Sequence, residues 1–545
     1  MQVICKHNEG YTWANSQGVY FKGYIQKEDD RIPLRGINAI TFFLQASSFK
    51  EFVALLEKID GVFSVIVRNG EKTWAAVDIA RSMPVYYARD ASIVSDSAEE
   101  IRKRMGITKE DADPYALEEL LISTFIGHTR TAYAQIGQLD AGQAAEFNRN
   151  IVSTKRYYFH YQKTIQIERT EAIQRLQKTA DDVFADTIAA IEGRPIVLSL
   201  SGGYDSRYVA CMLKRFGIQD VSCYTYGRAD SFEVKQSHAV AHALGYRWAF
   251  VEHTDDRMSA LLAGENLSYC DMNDGHDFTV FLQNYAAVKY LHESGWIKQG
   301  SVFLTGLCQD MPTGYYAVMP DEIPNYTLSV SFLAEYIADR RHFFRMQPEA
   351  RKAYLSEVER HIAELGLAID SDQAFASAFD AVWTSLEHSR NFLHMNDAHA
   401  YFGYEWLLPC WNKRSLDFWY SMPQEYRLKQ NLYEEWIMTG LPAQYGIGDK
   451  KQVVSYTLTR GWSRFKARCR LVLNRLIFIP LGVPLRQKTD FNNDAAVIKE
   501  AYRHIHQKRM IGFRNSGIIF VLGLYIMERL YGPHFNKLLK QHRNI

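Results

Sequence analysis

The sequence predicts an α/β protein in which a β-rich N-terminal region precedes a doubly wound parallel sheet. Up to about residue 160, short apolar segments alternate with turn signals, as in antiparallel sheets. From about residue 165, strand and helix patterns alternate, which is the order of a parallel sheet with crossover helices. Beyond about residue 325 the pattern is mainly helical.

Length and composition limit the classes of protein that the chain can represent. Its 545 residues are too many for one ordinary core, so two or three domains are expected. With 63 basic and 62 acidic residues, the chain has no charge excess that would favour a nucleic-acid partner. The seven cysteines include no CxxC pair, which favours reduced thiols in a cytoplasmic protein over a zinc site or a disulfide framework.

Two strand pairs are predicted in the N-terminal region. Residues 62–67 and 73–77 flank an Asn69-Gly70 hairpin signal, and residues 84–88 and 91–95 form a second pair. The following region begins with a long helix at residues 170–191 and continues with strands and helices in alternation. We predict strands at 196–200, 221–226 and 248–251, a helix at about 207–216, and a helix opened by an Asp230/Glu233 capping box that ends near Gly245.

The most informative motif follows the first parallel strand and reads Ser201-Gly202-Gly203-Tyr204-Asp205-Ser206. Ligands of doubly wound sheets bind at the carboxyl ends of strands, where this loop lies. The two glycines let backbone N–H groups approach an anion, and the next helix directs its positive end there. An acid such as Asp205 fits an anion site only if a cation bridges them, so Mg²⁺ is predicted. The loop lacks the Walker A lysine and the third Rossmann glycine.

This loop resembles the signature of the PP-loop ATP pyrophosphatases, and the chain resembles the asparagine synthetase family in particular. Residues 59–63 and 78–87 resemble the family's glutaminase core "DG-F … D-x-x-G-x-x-P-L-Y-Y". Residues 139–143 resemble "L-x-P-G", and residues 403–412 resemble "E-x-R-x-P-x-x-D" in a version similar to proteins encoded in surface-polysaccharide clusters. The resemblance implies an Ntn-hydrolase-like αββα glutaminase-type domain at 1–160. It also implies a PP-loop synthetase domain with a helical extension at 165–545.

The resemblance implies that the protein is an ATP-dependent amide ligase. The protein would use ATP and Mg²⁺ to adenylate a small-molecule carboxylate, with release of pyrophosphate. Ammonia or an amine would then attack the acyl adenylate. Either Lys450 or Lys451, with Lys450 preferred, would offset charge in the transition state. The nucleotide would lie against Leu200, Ser201, Gly202, Gly203, Asp205, Ser206, Thr225, Tyr226, Thr305 and Gly306, with Mg²⁺ between Asp205 and Asp310.

Two departures from the family pattern change this expectation. A glutaminase needs an N-terminal cysteine, but position 2 is Gln2, and Cys5 would qualify only if four residues were removed. We therefore predict a degenerate glutaminase domain. Leu307 stands where the family has a glutamate, which argues against free aspartate as the substrate. The alternative is a catalytically impaired ATP-binding scaffold or regulatory protein. A homodimer is left open.

Two apolar stretches lie near the C-terminus, at residues 471–485 and 517–527. Both are shorter than the roughly 20 apolar residues that span a bilayer, so no transmembrane segment is predicted. We expect buried helices in both. Peripheral membrane contact is the alternative for the first, because five basic residues lie within or just before it: Arg464, Lys466, Arg468, Arg470 and Arg475.

Overall fold

A computed structural model of the protein describes residues 1–272, 277–341, 346–448, 469, 472–478, 481, 490–508, 518–532 and 535. The strands are β1 Gln2–Ile4, β2 Trp13–Ser16, β3 Val19–Lys27, β4 Asp30–Arg35, β5 Ile59–Asn69, β6 Lys72–Val77, β7 Tyr86–Ala88, β8 Ile93–Ser95, β9 Ile136–Gln138, β10 Gln143–Asn148, β11 Ile151–Arg156, β12 Ile196–Ser199, β13 Val221–Gly227, β14 Arg247–Glu252, β15 Val302–Leu304 and β16 Glu405–Leu407.

The helices of the described residues cover the sheets and form most of the chain after β15. They are α1 Gly36–Phe43, α2 Phe49–Glu57, α3 Ala98–Arg104, α4 Pro114–Ser123, α5 Arg169–Ile191, α6 Tyr204–Arg215, α7 Phe232–Leu244, α8 Asp255–Ala260, α9 Leu267–Cys270, α10 Leu282–Glu293, α11 Val330–Arg341, α12 Pro348–Glu364, α13 Asp372–Arg390, α14 Asp397–Tyr401, α15 Lys413–Ser421, α16 Gln424–Arg427, α17 Asn431–Thr439, α18 Leu441–Gln444, α19 Asp494–His504 and α20 Ile518–Tyr531. A π-helical turn spans Asn474–Phe478. No described helix is both long enough and apolar enough to cross a bilayer.

Two sheets face each other in the N-terminal region. One has seven strands in the order β11-β10-β6-β5-β3-β2, with β4 beside β3, and the other has the order β1-β8-β7-β9. A separate apolar core fills the space between them, with Ile66 and Val77 from the larger sheet meeting Tyr87 and Val94 from the smaller. Both predicted strand pairs are confirmed, since β5 pairs with β6 across Asn69 and β7 pairs with β8.

Helices cover the outer face of each N-terminal sheet. On the seven-stranded sheet, Phe43 of α1 and Phe52 of α2 pack together and against aromatic rings of the strands, including Phe21 and Phe63. On the four-stranded sheet, α3 packs against β7 and β8. The N-terminal region therefore has the predicted αββα layers.

The third sheet is parallel and has the order β14-β13-β12-β15-β16. Its central strand β12 reads Ile-Val-Leu-Ser, and its three apolar side chains are buried, as expected for a sheet covered on both faces. The predicted doubly wound order is confirmed. The edge strand β16 was not predicted, because it is only three residues long and lies among helices.

Two helix starts differ from the prediction. Helix α6 begins at Tyr204, three residues before the predicted position, so Asp205 and Ser206 lie in its first turn. Helix α7 is capped by Ser231, whose side chain accepts the Glu233 N–H, so the prediction of Asp230 as the cap was wrong. Both errors are small, because caps are set by single hydrogen bonds that an apolar pattern does not specify.

The two C-terminal apolar stretches behave differently. In the first, Val472, Leu473, Leu476, Ile477 and Leu481 are exposed, so the prediction of a buried helix is wrong for these residues. The second forms most of α20, whose apolar side chains are largely buried where the helix packs on α4 and α19. For that stretch the prediction of a buried helix is confirmed.

Candidate active site

A cavity of about 320 Å³ lies where the strand order of the parallel sheet reverses, between the carboxyl ends of β12 and β15. In doubly wound sheets the crevice at this point is the usual ligand site. Seven of the residues predicted to bind the nucleotide or Mg²⁺ line this cavity: Ser201, Asp205, Ser206, Tyr226, Thr305, Gly306 and Asp310.

The loop after β12 is held in shape by its own serines. The Ser201 N–H donates to Ser206 Oγ at 3.1 Å, and the Gly203 N–H donates to Ser201 Oγ at 3.1 Å. The two hydroxyl oxygens are themselves 3.1 Å apart, so only one of their protons is used between them. The other hydroxyl proton stays available to a ligand in the cavity.

Gly306 brings the loop after β15 against the loop after β12. A Cβ at this position would lie 2.7 Å from the Asp205 carbonyl carbon and 2.9 Å from the Ser206 backbone nitrogen. Backbone atoms cannot yield to such a contact as a flexible side chain can. Only glycine therefore allows the two loops to meet.

The two carboxylates predicted to hold Mg²⁺ are half-buried and line the same cavity. Asp205 lies in the first turn of α6, at the positive end of that helix. Burial raises the pKa of both the Cys308 and Cys410 thiols, and the charges of Asp205 and Asp310 raise them further. Both carboxylates are therefore close enough to act on the same two thiols.

These residues fit a nucleotide phosphate with Mg²⁺. The Thr305 Oγ1 atom is buried and, within the described residues, makes no hydrogen bond, so it is placed to donate to a bound ligand. The described part of the chain contains no group of three or more His, Cys, Asp or Glu side chains that could enclose a metal ion. Two carboxylates suit Mg²⁺, because it commonly binds one or two carboxylates and completes its shell with phosphate oxygens and water.

The other residues predicted to bind the nucleotide occupy different positions. Tyr226 lines the cavity and stacks on His253 with ring centroids 5.1 Å apart. The Thr225 Oγ1 lies 2.6 Å from the Leu200 carbonyl oxygen, so these two residues join β13 to the end of β12 beneath the cavity. Gly202 and Gly203 belong to the same loop but do not line the cavity.

Part of the cavity wall was not predicted from the sequence. Asn284 of α10 lines the cavity, accepts the Tyr224 hydroxyl at 2.9 Å and donates to the Met395 carbonyl at 2.9 Å. Its Nδ2 also lies 3.2 Å from His399, whose pKa burial lowers to about 3. An asparagine within the apolar face of α10 was the available signal. The missed residues are Ser199, Asn284, Phe392, Met395 and His399.

A buried arginine connects the first turns of α6 to the backbone just after α18. Arg207 donates to the Ile447 carbonyl oxygen at 2.8 Å. With the Gln236 amide oriented to satisfy its neighbours, its oxygen accepts from Arg207 Nη2 at 2.6 Å and its nitrogen donates to the Gly202 carbonyl at 3.2 Å. The predicted catalytic residues Lys450 and Lys451 lie outside the described residues.

Comparison with known proteins gives a family match over part of the chain. Residues 179–445 match the family described as asparagine synthase. No curated protein matches the chain.

Several solved structures are similar to parts of the chain at low scores. An ammonia-dependent NAD synthetase from Campylobacter jejuni, in complex with nitrate, is 15% identical over 37% of this chain and 97% of that chain, with a TM-score of 0.21. A "predicted subunit of tRNA methyltransferase" from Methanocaldococcus jannaschii is 14% identical over 32% of this chain and 90% of that chain, with a TM-score of 0.15. A glutamine phosphoribosylpyrophosphate amidotransferase from B. subtilis is 11% identical over 54% and 63%, with a TM-score of 0.15. TM-scores this low support no statement about the present chain. The match of residues 179–445 to the asparagine synthase family does not depend on them.

Proposed function

We propose that this protein adenylates a small-molecule carboxylate with ATP and transfers the acyl group to ammonia or an amine. One observation carries the proposal. The Ser-Gly-Gly-x-Asp-Ser loop after β12 meets the Thr305-Gly306 loop after β15 at the switch point, and Asp205 and Asp310 both line the cavity there. Glycine-opened backbone, a helix N-terminus and two acids together suit a polyphosphate with its cation.

The reaction proceeds in two balanced steps. A carboxylate oxygen attacks the α-phosphorus of ATP, the bond to the β-phosphate oxygen breaks, and pyrophosphate leaves. The nitrogen lone pair then attacks the acyl carbon, AMP leaves with the bonding electrons, and the nitrogen loses a proton. Bound Mg²⁺ would neutralise phosphate charge. The hydroxyls of Ser201, Ser206 and Thr305 and the first turn of α6 would bind and orient the pyrophosphate portion, and Asp205 and Asp310 would hold the cation.

The wall around the acyl group is partly apolar. Leu307 of the β15 loop lines the cavity together with Phe392 and Met395, which follow α13. An apolar wall disfavours burial of a second carboxylate, because a desolvated charge needs a partner. We therefore propose a carboxylate with an apolar group, rather than free aspartate, as in the modification of a natural product or a surface polysaccharide. Leu307 cannot accept the proton released by the amine, so another group or water takes it.

The amine source is proposed to be free ammonia or an amine rather than glutamine. Burial raises the pKa of the Cys5 thiol to about 12, and the negative charge of Asp96 adds to the shift. A nucleophilic cysteine needs the opposite shift, toward the thiolate. We expect the purified protein to release no glutamate from glutamine above the rate of a Cys5→Ala variant. Glutamate release that the variant abolishes would contradict this. A cytoplasmic location and a homodimer remain predictions.

Exchange of radiolabelled pyrophosphate into ATP tests the adenylation step. We expect exchange that depends on an added carboxylate and on Mg²⁺. Loss of one charged group at a site of this kind costs roughly 100-fold in rate, so Asp205→Asn should reduce exchange by about that factor. The matched control is Asp230→Asn, because Asp230 is an exposed acid in a surface ion pair with Arg228.

The outcomes of this assay separate the two functions considered. Exchange that requires Asp205 but not Asp230 supports the ligase. Tight ATP binding with no exchange for any carboxylate from a broad panel would instead support the ATP-binding scaffold. Equal exchange by the wild type and by Asp205→Asn would remove the proposed role of that carboxylate.

A further inference from the structure

Another cavity, of about 290 Å³, lies where the N-terminal region meets the rest of the chain. Its walls come from β3, the turn after it and β5 on the N-terminal side, and from α5, the end of β16 and the start of α15 on the other. We call it the Asp60 cavity. It shares no lining residue with the cavity at the switch point, so the proposed nucleotide site does not account for it.

A short segment after β16 separates the two cavities. Residues 407–409 and Trp411 line the Asp60 cavity. Between them, Cys410 lies near the acids of the other cavity. Burial raises the pKa of its thiol, and the charges of Asp205 and Asp310 raise it further. A ligand in the Asp60 cavity would therefore lie beside the proposed site of adenylation.

The Asp60 cavity has an excess of acidic side chains. Five acidic and three basic side chains line it. The acids are Glu28, Asp29, Asp60, Asp186 and Asp417. Part of their charge is neutralised, because Asp186 pairs with Arg31 at 2.9 Å and with Arg414 at 3.1 Å. The rest favours a cationic ligand over an anionic one, since a cleft lined by one sign of charge attracts the opposite sign.

Asp60 itself is half-buried and lacks a cationic partner. Its carboxylate accepts the N–H groups of Gly61 at 2.8 Å and Lys413 at 2.6 Å, but within the described residues it forms no ion pair. The Lys413 ammonium instead donates to the carbonyl oxygens of Leu56 and Glu57. Burial raises the pKa of Asp60 to about 6, because the ionised carboxylate is poorly solvated. A bound cation would supply the charge that this carboxylate lacks.

Trp411 brings a hydrogen-bond donor to the same cavity. Its side chain is 4% exposed, and its Nε1 makes no hydrogen bond within the described part of the chain. The His388 ring stacks on the indole with ring centroids 3.5 Å apart, which holds the indole in place. Buried N–H groups are normally paired, so a ligand with an acceptor such as a hydroxyl oxygen would complete this wall.

We infer that the Asp60 cavity binds a protonated primary amine that also carries a hydroxyl group, as amino alcohols and amino sugars do. The ammonium group would bind the Asp60 carboxylate, and the hydroxyl oxygen would accept the Trp411 N–H. The carbon skeleton would contact Val62, Val183 and Leu408, which also line the cavity. The position beside the adenylation site makes this amine the source of the attacking nitrogen, an assignment that rests on the proposed function.

Calorimetric titration of the full-length protein with ethanolamine, without ATP or a carboxylate, tests the inference. We expect saturable binding. Ethylamine, which lacks the hydroxyl, should bind about fivefold more weakly, and ethylene glycol, which lacks the charge, about tenfold more weakly or worse.

Two variants assign these effects to the cavity. Asp60→Asn should weaken ethanolamine binding by about tenfold or more, because the amide can still accept the Lys413 N–H but carries no charge. Trp411→Phe should weaken ethanolamine binding about fivefold and leave ethylamine binding unchanged, because it removes the N–H and keeps an aromatic ring.

The matched control is Asp78→Asn. Asp78 also accepts backbone N–H groups, and burial raises its pKa to about 6, but it is not part of the cavity wall. It should leave ethanolamine binding unchanged, and melting temperatures show that all variants are folded. Absence of ethanolamine binding would overturn the inference, as would equal losses in Asp60→Asn and Asp78→Asn. Pyrophosphate exchange needs no amine and this titration needs no ATP, so failure of the amine site is distinct from failure of the proposed ligase activity.

Discussion

Arg81 occupies a backbone conformation that favours glycine. Its φ is 61°, in the left-handed region, and its side chain is completely buried. The asparagine synthetase motif that residues 78–87 resemble has glycine at this position, and glycine adopts left-handed backbone without a steric cost. Arg81 uses its side chain to contact Asp277 at 3.2 Å and the Ser389 carbonyl oxygen at 3.2 Å. The guanidinium thereby joins the N-terminal layers to two of the connections between strands of the parallel sheet.

Replacement of Arg81 by glycine should destabilise the protein although it relieves the backbone. Removing one partner of a buried ion pair costs about 3 kcal/mol, whereas relief of a left-handed residue returns about 1 kcal/mol. We expect a net loss of about 2 kcal/mol in the free energy of unfolding, measured by urea denaturation.

The matched control for this prediction is Gln17→Gly. Gln17 also has a left-handed backbone, with φ of 50°, but its side chain is exposed. This control should be neutral or slightly stabilising. If Arg81→Gly were equally neutral, the Asp277 contact would contribute nothing to stability.

Three helices, α12, α13 and α14, bury histidines in their neutral form. Burial lowers the pKa of His361 in α12 to about 4 and that of His399 in α14 to about 3, and it holds the pKa of His388 in α13 well below the usual value. A lowered folded-state pKa means that the unfolded chain binds more protons below pH 6.5. These helices should therefore lose stability as the pH falls.

The variant His361→Phe isolates one of these groups. Between about pH 6.5 and pH 4, the wild type should lose stability relative to the variant, and below pH 4 the difference should stay constant. The measurement is urea unfolding at several pH values. Comparing the two proteins cancels the opposite trend of Asp60 and Asp78, whose pKa values burial raises to about 6.

His242→Phe serves as the control, since His242 is on the exposed side of α7. This control shows how far the exchange of a histidine for phenylalanine alters the profile when the position is exposed. A parallel pH profile for His361→Phe and the wild type would show that His361 is not held neutral by the fold.

Features made by residues close together in the chain could be predicted from the sequence, and features that join distant residues could not. The loop at 201–206 was predictable, because strand, glycines, acid and helix start all lie within a few residues. The contact of Gly306 with Asp205 joins residues a hundred positions apart, so only the fold shows it. Asn284 lies in an apolar helix face, and its role depends on Tyr224 from another element. The leucines near residue 476 were predicted to be buried but are exposed, because an apolar sequence does not show whether another part of the protein covers it.

Buried and half-buried polar contacts fix the N-terminal layers to the rest of the chain. Arg390 of α13 pairs with Asp140 at 3.0 Å, and the Lys413 N–H donates to Asp60 at 2.6 Å. Glu405 of the parallel sheet pairs with Arg35 at 3.0 Å. Interfaces that bury ion pairs do not separate without a large cost, so the two parts should unfold together.

Calorimetry tests this cooperativity. We expect one unfolding transition for the full chain, and a lower midpoint for that whole transition in Arg390→Met, because Asp140 loses a buried partner. The surface variant Lys103→Met, in which an exposed side chain is changed, should keep the wild-type midpoint. Two separate transitions in the wild type would show that the N-terminal layers and the rest are energetically independent.

The contact at Gly306 has a further consequence for how the protein handles its ligands. The loop after β12 leads to the proposed phosphate site, and the loop after β15 leads to the apolar wall proposed for the acyl group. Their backbones touch without an intervening side chain. A shift of one loop must therefore displace the other. Occupancy at one end should alter affinity at the other, and linkage requires the effect to be reciprocal. The protein would then sense the correct carboxylate through the strength with which it retains ATP.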